Sequence, residues 1–198
     1  MTNTLDSFIK QFTFSESLSA QTNSGLASIC NRRKIKKGAA IIEAGELCGD
    51  EIYVVSGVLR AYINADLKEY TSTFYKDGQF VTPWFARQMN GESLISLQTL
   101  ENSDLMLFDE KKFTNLRRSN EDLLALGNKV VEKELLLKSK KELILATGKL
   151  RELYCFFQEV FPGLENRIAQ RYVATYLGVD PVSLSRIRKE IQEETKKS

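Results

Sequence analysis

Residues 170–189 read QRYVATYLGVDPVSLSRIRK, and this stretch decides the architecture of the C-terminal part of the chain. Val173 and Leu177 lie one helical turn apart and predict the buried face of a helix. Ala174, beside them, is small enough for a second helix to cross at that point. Gly178 follows directly, and glycine adopts at low cost the left-handed backbone that ends a helix. The stretch therefore predicts a helix that stops sharply at residue 177.

A second helix is predicted to start immediately after this turn. Asp180 has the side chain of a helix N-cap, and Pro181 suits the first helical position. Leu184 and Ile187 are three residues apart and predict the face that packs against the first helix. Two helices joined by a tight turn with a glycine form the helix-turn-helix unit that many duplex DNA-binding proteins use. The alternative is a helical hairpin without a role in DNA binding.

The outer face of the second helix supplies the candidate DNA-binding residues. The planar guanidinium of Arg186 matches O6 and N7 of guanine, so Arg186 is the expected base reader. Ser183 and Lys189 suit phosphates, and Val182 could touch a thymine methyl group. Arg188 could reach a phosphate or pair with a nearby acid, and for every candidate the alternative is a solvated surface residue. The full set is Val182, Ser183, Ser185, Arg186, Arg188 and Lys189.

Charge is concentrated in the same region. The whole chain of 198 residues has a formal net charge of only +2. Residues 166–189 carry five basic residues against the single acid Asp180, a local net charge of +4. Binding to DNA phosphates needs such a local excess of positive charge. The basic residues are Arg167, Arg171, Arg186, Arg188 and Lys189.

The composition excludes several kinds of active site. The chain has no histidine, which rules out serine–histidine and cysteine–histidine catalysis and histidine-ligated zinc or haem. An enzyme that uses only carboxylates or a lysine is the alternative, but we expect no enzyme activity, no metal site and no cofactor. Cys30, Cys48 and Cys155 have no metal-ligand spacing and are expected to be reduced, mostly buried thiols. No apolar run approaches the roughly 20 residues of a membrane span, and residues 1–10 do not resemble a signal peptide, so we expect a cytoplasmic protein without membrane contact.

The first half of the chain has the pattern of short β-strands. Residues up to about 30 have helical spacing, as in Leu5, Phe8, Ile9 and Phe12 and later in Leu26 and Ile29. From residue 32 to 107, apolar runs alternate with glycine-containing turns, which predicts a sandwich or jelly-roll β-barrel. The runs are 40–42, 52–55, 58–63, 70–75 and 93–100. The expected fold class is therefore α+β, with a jelly roll first and a helix-turn-helix last.

A long helix is expected between these two parts. Ser119 followed by Asp122 has the pattern of a capping box, and the helix is predicted to run to about residue 146. A heptad repeat of Leu123, Val130, Leu137 and Ile144 suggests pairing with a second helix. A coiled coil also needs a second apolar position in each heptad, and here that position holds Gly127, Glu134 and Lys141. The alternative is that the helix packs on the chain's own β domain. The predicted divisions are 1–118, 119–147 and 148–198.

The order of these parts resembles the Crp/Fnr family of bacterial transcriptional regulators. The recognition-helix stretch 183–189 and the β-roll turns at Lys37-Gly38, Ala44-Gly45-Glu46, Ser56-Gly57 and Asp77-Gly78 carry the resemblance. It implies a cyclic-nucleotide-binding-like jelly roll and a homodimer joined through residues 119–147. It also implies a palindromic DNA operator and is compatible with a contact to RNA polymerase. A ligand-sensing β-roll with a weak or degenerate DNA-binding domain is the alternative function.

The chain departs from the family's pattern where cyclic nucleotides bind. Thr82-Pro83-Trp84 replaces the expected Gly-Glu-Leu, and Leu94-Ile95 replaces the Arg-Ser pair that holds the phosphate, so we expect no useful response to cyclic AMP. Arg87 lies near enough in sequence to substitute. An apolar ligand pocket is one hypothesis, and the favoured alternative is that its residues fill the roll. The pocket candidates are Phe74, Phe80, Trp84, Phe85, Arg87 and Met89.

The end of the sequence also departs from the family. Many relatives follow the recognition helix with a β-hairpin wing that contacts the DNA backbone. Here Ile191 runs into residues 193–198, which read EETKKS and have no hairpin pattern. We therefore expect the wing to be missing.

Overall fold

The computed structural model of the protein describes residues 18–66, 68–81 and 91–195. These residues form two compact units. The first unit comprises the described residues up to Arg60 together with Tyr75–Leu135. The second comprises Ala61–Phe74 and the described residues from Leu136 onward.

The described residues contain eight strands, which form two four-stranded sheets. One sheet has the strand order β1-β8-β3-β6 and the other β2-β7-β4-β5. Two sheets of this kind agree with the predicted jelly roll. The strands are β1 (Cys30–Ile35), β2 (Ala40–Ile42), β3 (Asp50–Ser56), β4 (Val58–Ala65), β5 (Lys68–Lys76), β6 (Gln79–Val81), β7 (Ser96–Thr99) and β8 (Ser103–Asp109).

The centre of the first sheet is buried on both faces. In the antiparallel pair β3–β8, Ile52 lies opposite Leu107, and Tyr53 lies opposite Met106. All four side chains are buried. Because neighbouring residues of a strand point to opposite faces, these two strands need apolar residues at every position. This double burial explains why the sequence shows continuous apolar runs here rather than an alternating pattern.

Three helices cover one face of this sheet. They are α1 (Ala20–Ile29), α2 (Glu110–Ser119) and the long α3 (Glu121–Thr147). Their apolar side chains form one core cluster with alternate residues of β3 and β8. The cluster contains Leu26, Tyr53, Val55, Met106, Phe108, Phe113, Leu123 and Leu126. The helical prediction for Leu5, Phe8, Ile9 and Phe12 lies outside the described residues.

The predicted capping box of the long helix is wrong in detail. Ser119 is the last residue of α2, and its hydroxyl donates to the carbonyl groups of Asn115 and Leu116 at 3.0 and 3.1 Å. Helix α3 begins one residue after Asn120, whose carbonyl accepts from the Leu124 amide at 3.0 Å. The carboxylate of Asp122 instead accepts from the Ser19 amide at 2.6 Å, which ties the start of α1 to the start of α3. The sequence pattern missed α2, so the serine was assigned to the wrong helix.

The cysteines differ from expectation in burial. All three are free thiols, but only Cys48 is buried, while Cys30 is half-buried and Cys155 is exposed. Partial burial raises the pKa of the Cys30 thiol above its ordinary value. In the described part of the chain, no helix is long and apolar enough to cross a membrane.

One glycine allows the closest approach between two strand ends. Gly57 has a φ of +121°, and a Cβ built on it would lie 2.8 Å from the Cα of Ser103. We expect Gly57→Ala to lower the free energy of unfolding by about 3 kcal/mol, since backbone strain and overpacking each cost about 1–3 kcal/mol. Gly38→Ala is the control, because Gly38 also has a positive φ but nothing lies within 4 Å of its Cβ position. Urea unfolding measures the free energy of unfolding of both variants. Equal decreases in the two variants would refute the steric argument.

The second unit is helical apart from its β-hairpin segment. It contains the C-terminal part of α3, then α4 (Leu150–Val160), a 3-10 turn (Leu164–Asn166), α5 (Gln170–Leu177) and α6 (Pro181–Thr195). Four buried aromatic rings form its centre, with centroids 5.5–6.1 Å apart between neighbours. These rings are Phe74, Phe157, Phe161 and Tyr176.

Candidate nucleic-acid interface

The turn between α5 and α6 forms as its sequence predicts. Gly178 adopts φ 70° and ψ 25°, and the amide of Val179 donates to the carbonyl of Ala174 at 3.0 Å. This is the bond pattern by which a left-handed residue closes a helix C-terminus. Ala174 is buried, which fits its expected place under the crossing helix. Val179, which follows Gly178 in the turn, is half-buried.

Asp180 is the N-cap of α6. One of its carboxylate oxygens accepts from the amides of Val182 and Ser183 at 2.8 and 2.9 Å. The hydrogen bonds from Ser183 hold the pKa of the Asp180 carboxyl below its ordinary value. The cap is therefore ionised at neutral pH and satisfies two backbone groups that a helix start leaves without partners.

Helix α6 has one buried and one exposed face. Leu184 and Ile187 are buried, and Ile191 is half-buried on the same side. Four of the six predicted DNA-binding residues lie on the opposite, exposed face: Val182, Ser185, Arg186 and Lys189. Their positions cluster on this side because residues three and four apart share a helix face. This exposed face is called the recognition face below.

Ser183 lies at the edge of the recognition face and is already engaged. Its hydroxyl donates to the second carboxylate oxygen of Asp180 at 2.7 Å, and its side chain is half-buried. The hydroxyl proton is therefore used within the helix cap. The oxygen can still accept a hydrogen bond, but a phosphate offers only acceptors at neutral pH.

Arg188 lies at the other edge and pairs with an acid. Its Nε is 3.4 Å from an Oε atom of Glu165, which follows α4 in the 3-10 turn. The same carboxylate accepts from the Tyr154 hydroxyl at 2.8 Å and from the Gln158 amide at 3.2 Å. Burial, together with the bond to Glu165, raises the pKa of Tyr154 to about 12, so the phenol keeps its proton. Of the two roles open for Arg188, the structure shows the ion pair, which connects α6 to the 3-10 turn after α4.

The charge along α6 changes sign after Lys189. Glu190, Glu193 and Glu194 follow it, and Lys189 lies 3.7 Å from Glu193 across one helical turn. Glu194 forms a two-pronged ion pair with Arg151 of α4, in which Nη1 lies 2.9 Å from Oε1. Positive and neutral side chains therefore occupy the N-terminal half of the recognition face, and acids occupy the C-terminal half.

The long helix exposes a stripe of apolar residues. Leu123, the first residue of the predicted heptad repeat, is buried in the core of the first unit. At this residue the helix packs on the chain's own β domain, which was the alternative to pairing with a second helix. Other apolar residues of α3 are exposed instead. They are Leu124, Leu135 and Leu145, with Val131 half-buried between them. The four residues are spaced as heptad positions, and they are called the apolar stripe below.

The pocket candidates that are described serve two separate cores. Phe74 belongs to the aromatic centre of the second unit. Phe80 packs against Tyr53, Phe108 and Phe113 in the first unit. Phe80 therefore helps to fill the roll, as the favoured alternative stated, whereas Phe74 packs against residues of α4 and α5 and their connection instead. Trp84, Phe85, Arg87 and Met89 lie outside the described residues.

Sequence reasoning missed the residues that hold α5 in place. Lys141 of α3, Thr71 of the hairpin and Thr175 of α5 meet in the second unit, as described below. The one available signal was Lys141 itself, a lysine at a position of the heptad repeat that is expected to be apolar.

Comparisons with known proteins place the fold. No family model matches the chain, and no curated protein matches its sequence. Solved structures match over most of its length. A mutant of CooA from Carboxydothermus hydrogenoformans aligns with a TM-score of 0.73 at 17% identity, covering 94% of this chain and 84% of that one.

Two further structures agree. A protein from Eubacterium rectale assigned to the Crp/Fnr family of transcriptional regulators has a TM-score of 0.70 at 17% identity, covering 93% of this chain and 88% of that one. The c-di-GMP-responsive global regulator CLP from Xanthomonas campestris has a TM-score of 0.70 at 17% identity, covering 89% and 93%. The fold expected from the sequence resemblance is confirmed: the chain has the fold of the Crp/Fnr transcriptional regulators.

Proposed function

We propose that the protein is a homodimeric, sequence-specific DNA-binding regulator of transcription. The observation that carries the proposal is the recognition face of α6. Four candidate contact residues stand together on the exposed side of a helix whose other side is buried and whose start is capped. A helix presented in this way fits the major groove of B-DNA, with its N-terminal residues at the base edges.

The charge pattern of α6 supports entry by its N-terminal half. Val182, Ser185, Arg186 and Lys189 precede the acids at 190, 193 and 194. Acids near DNA phosphates are repelled, so the C-terminal half of the helix points away from the duplex in this proposal. Arg171, exposed at the start of α5, is available for the phosphate backbone, which the first helix of such a unit crosses.

Arg186 is the proposed base reader. We expect Arg186→Ala to weaken binding to the preferred site by about 1–3 kcal/mol and to relax the preference at one base pair, because a bidentate contact to guanine is lost. Lys189→Ala is the comparison variant. Loss of a phosphate contact is expected to lower the affinity for all DNA sequences equally and to reduce the salt dependence of binding. Affinities for the preferred site and its single-base variants measure both effects. An equal loss for Arg186→Ala on every sequence would refute base reading.

The apolar stripe of α3 is the proposed dimer interface. The stripe has a heptad spacing and consists of Leu124, Val131, Leu135 and Leu145. Exposed leucines in this pattern become buried when a second helix of the same kind packs against them. A two-fold dimer presents two recognition helices, so its operator is a palindrome with half-sites about 34 Å apart. A contact with RNA polymerase would then follow from binding near a promoter.

We also propose that cyclic AMP is not the effector. Leu94 and Ile95 stand where the resembled family holds the phosphate with an arginine and a serine, and neither hydrocarbon side chain can bind an anion. In the structure Leu94 is exposed and Ile95 is buried. Residues 82–84 and Arg87 lie outside the described part, so this proposal depends on the later motif.

Selection of random duplex DNA by the purified protein tests the proposed function. The experiment is run without any effector at two salt concentrations, because phosphate contacts make affinity depend strongly on salt. A palindromic motif with half-sites one turn apart supports the homodimeric regulator. A motif with a single half-site would refute the dimer but keep the DNA-binding role. Absence of any enriched motif at either salt, also after a thermal-shift screen for stabilising ligands, would refute the proposal.

A further inference from the structure

The segment Ala61–Phe74, which forms most of the β4–β5 hairpin, belongs to the same compact unit as the helix-turn-helix. Its buried Thr71 places a hydroxyl 2.7 Å from the hydroxyl of Thr175 on α5. Because Thr175 donates to the carbonyl of Tyr172 at 3.0 Å, Thr71 is the donor in the pair. The hairpin therefore forms a direct polar contact with the first helix of the helix-turn-helix.

An apolar contact lies beside this hydrogen bond. Phe74 packs its ring against Tyr176 of α5 at 5.6 Å and against Phe161 at 5.5 Å between centroids. Both partners are buried, as is Phe74. Aromatic pairs at this separation stabilise a fixed relative orientation of the elements that carry them. The position of α5 thus depends on the hairpin as well as on its own helical neighbours.

Lys141 of α3 joins the same group from a third element. Its Nζ donates to the carbonyl of Ser72 at 3.0 Å and lies 3.6 Å from the ring centroid of Tyr176. A cation over an aromatic face is attracted by the ring, and the attraction is stronger away from water. The lysine therefore connects α3, the hairpin and α5 through one ammonium group.

The ammonium of Lys141 is unfavourably placed for stability alone. Burial, with repulsion from Lys138 on the same helix, lowers the pKa of Lys141 to about 8. Among the described residues, no carboxylate pairs with it, and a carbonyl and a ring face carry no full negative charge. A hydrocarbon side chain of the same length would avoid the cost of burying the charge. A half-buried charge that carries such a cost is better explained by orientation than by stability.

We propose that Lys141, together with the Thr71–Thr175 hydrogen bond, is a positioning residue that sets the orientation of α5 and hence of the recognition face. This inference rests on the proposed DNA-binding function. It adds that residues of the hairpin and the long helix, which carry no recognition-face side chain, control how well DNA is bound.

The test replaces Lys141 by methionine, which keeps the length of the side chain and removes its charge. We expect Lys141→Met to bind the selected DNA site about threefold to thirtyfold more weakly, the usual range for an energetic coupling through packed elements. Its resistance to urea is expected to be equal to or higher than that of the wild type. Lys140→Met is the matched control, because Lys140 is exposed and pairs with Glu159 on the surface. We expect the control to change neither property.

A pH series separates positioning from packing. The groups that face the ammonium are Lys138 on α3, the Ser72 carbonyl on the hairpin and Tyr176 on α5, whose raised pKa keeps its phenol neutral. Below pH 8 the wild type carries the charge that the variant lacks, so the affinity ratio is largest there. As pH rises through about 8, Lys141 loses its proton and we expect the ratio to approach one.

Three outcomes overturn the inference. One is an unchanged DNA affinity in Lys141→Met; another is a parallel fall of affinity and stability, which a merely structural role would produce. If the wild type selects no DNA, the proposed function fails, and amide hydrogen exchange in Gln170–Leu177 without DNA still decides the positioning role. Exchange that is faster in Lys141→Met, and also in Thr71→Val, supports positioning; unchanged exchange in both overturns it.

Discussion

Replacing Leu135 by glutamate is expected to convert the protein into a monomer and to weaken binding to a palindromic site about 100-fold or more. Leu135 is 63% exposed in the chain, so the change removes little internal packing. In the proposed dimer the apolar stripes face each other, and two glutamates would then be buried side by side without partners. A monomer also loses the avidity that two linked recognition helices provide.

Leu136→Glu is the control for this prediction. Leu136 is 67% exposed and adjacent in sequence, but it lies about 100° further round the helix. Sedimentation equilibrium and DNA titration of both variants measure the effect. Dimers of Leu135→Glu that bind DNA normally would contradict the proposed interface. If Leu136→Glu alone were monomeric, the dimer interface would lie on the face of α3 that carries Leu136.

Leu184→Ala is expected to destabilise the helix-turn-helix by about 2–5 kcal/mol. The Leu184 side chain is 0% exposed at the contact between α6 and α5, and truncation of a buried leucine costs both its transfer free energy and the cavity that is left. Since the recognition face depends on this packing, we expect DNA binding to fall together with stability. This joint loss is the opposite of the pattern expected for Lys141→Met.

Val182→Ala separates the buried from the exposed face of α6. Val182 is 60% exposed, so its truncation is expected to leave stability within about 0.5 kcal/mol of the wild type. Amide hydrogen exchange of α5 and α6 reports the stability of this unit directly. A loss below about 1 kcal/mol for Leu184→Ala would show that the two helices are not packed as described.

Local signals predicted most of the helix-turn-helix. Gly178 and Asp180 act over one or two residues, through a backbone angle and a side-chain hydrogen bond, so their roles can be inferred without knowing the rest of the fold. The periodicity of Leu184 and Ile187 predicted the buried face, and the recognition face followed as its opposite. The roles of the two residues at the edges of this face were harder to predict. Ser183 bonds to Asp180 and Arg188 pairs with Glu165.

The β-roll was also predicted from local pattern, although less completely. Turn glycines marked the ends of most strands, and the apolar runs between them became β2, β3, β4, β5 and β7. Helix α2 was missed because its amphipathic pattern is short and follows β8 without a turn residue. That omission led to the wrong role for Ser119, whose hydroxyl serves the end of α2.

The sequence by itself determined the order of the parts, the turn chemistry of the helix-turn-helix and the exclusion of histidine-dependent sites, because each depends on residue type and short spacing. Only the tertiary structure decided which face of α3 is exposed and that Arg188 pairs with Glu165. It also decided that Thr71 and Lys141 contact α5. Thr71 and Thr175 are 104 residues apart. Contacts at such separation arise from how elements pack, and neither periodicity nor propensity contains that information.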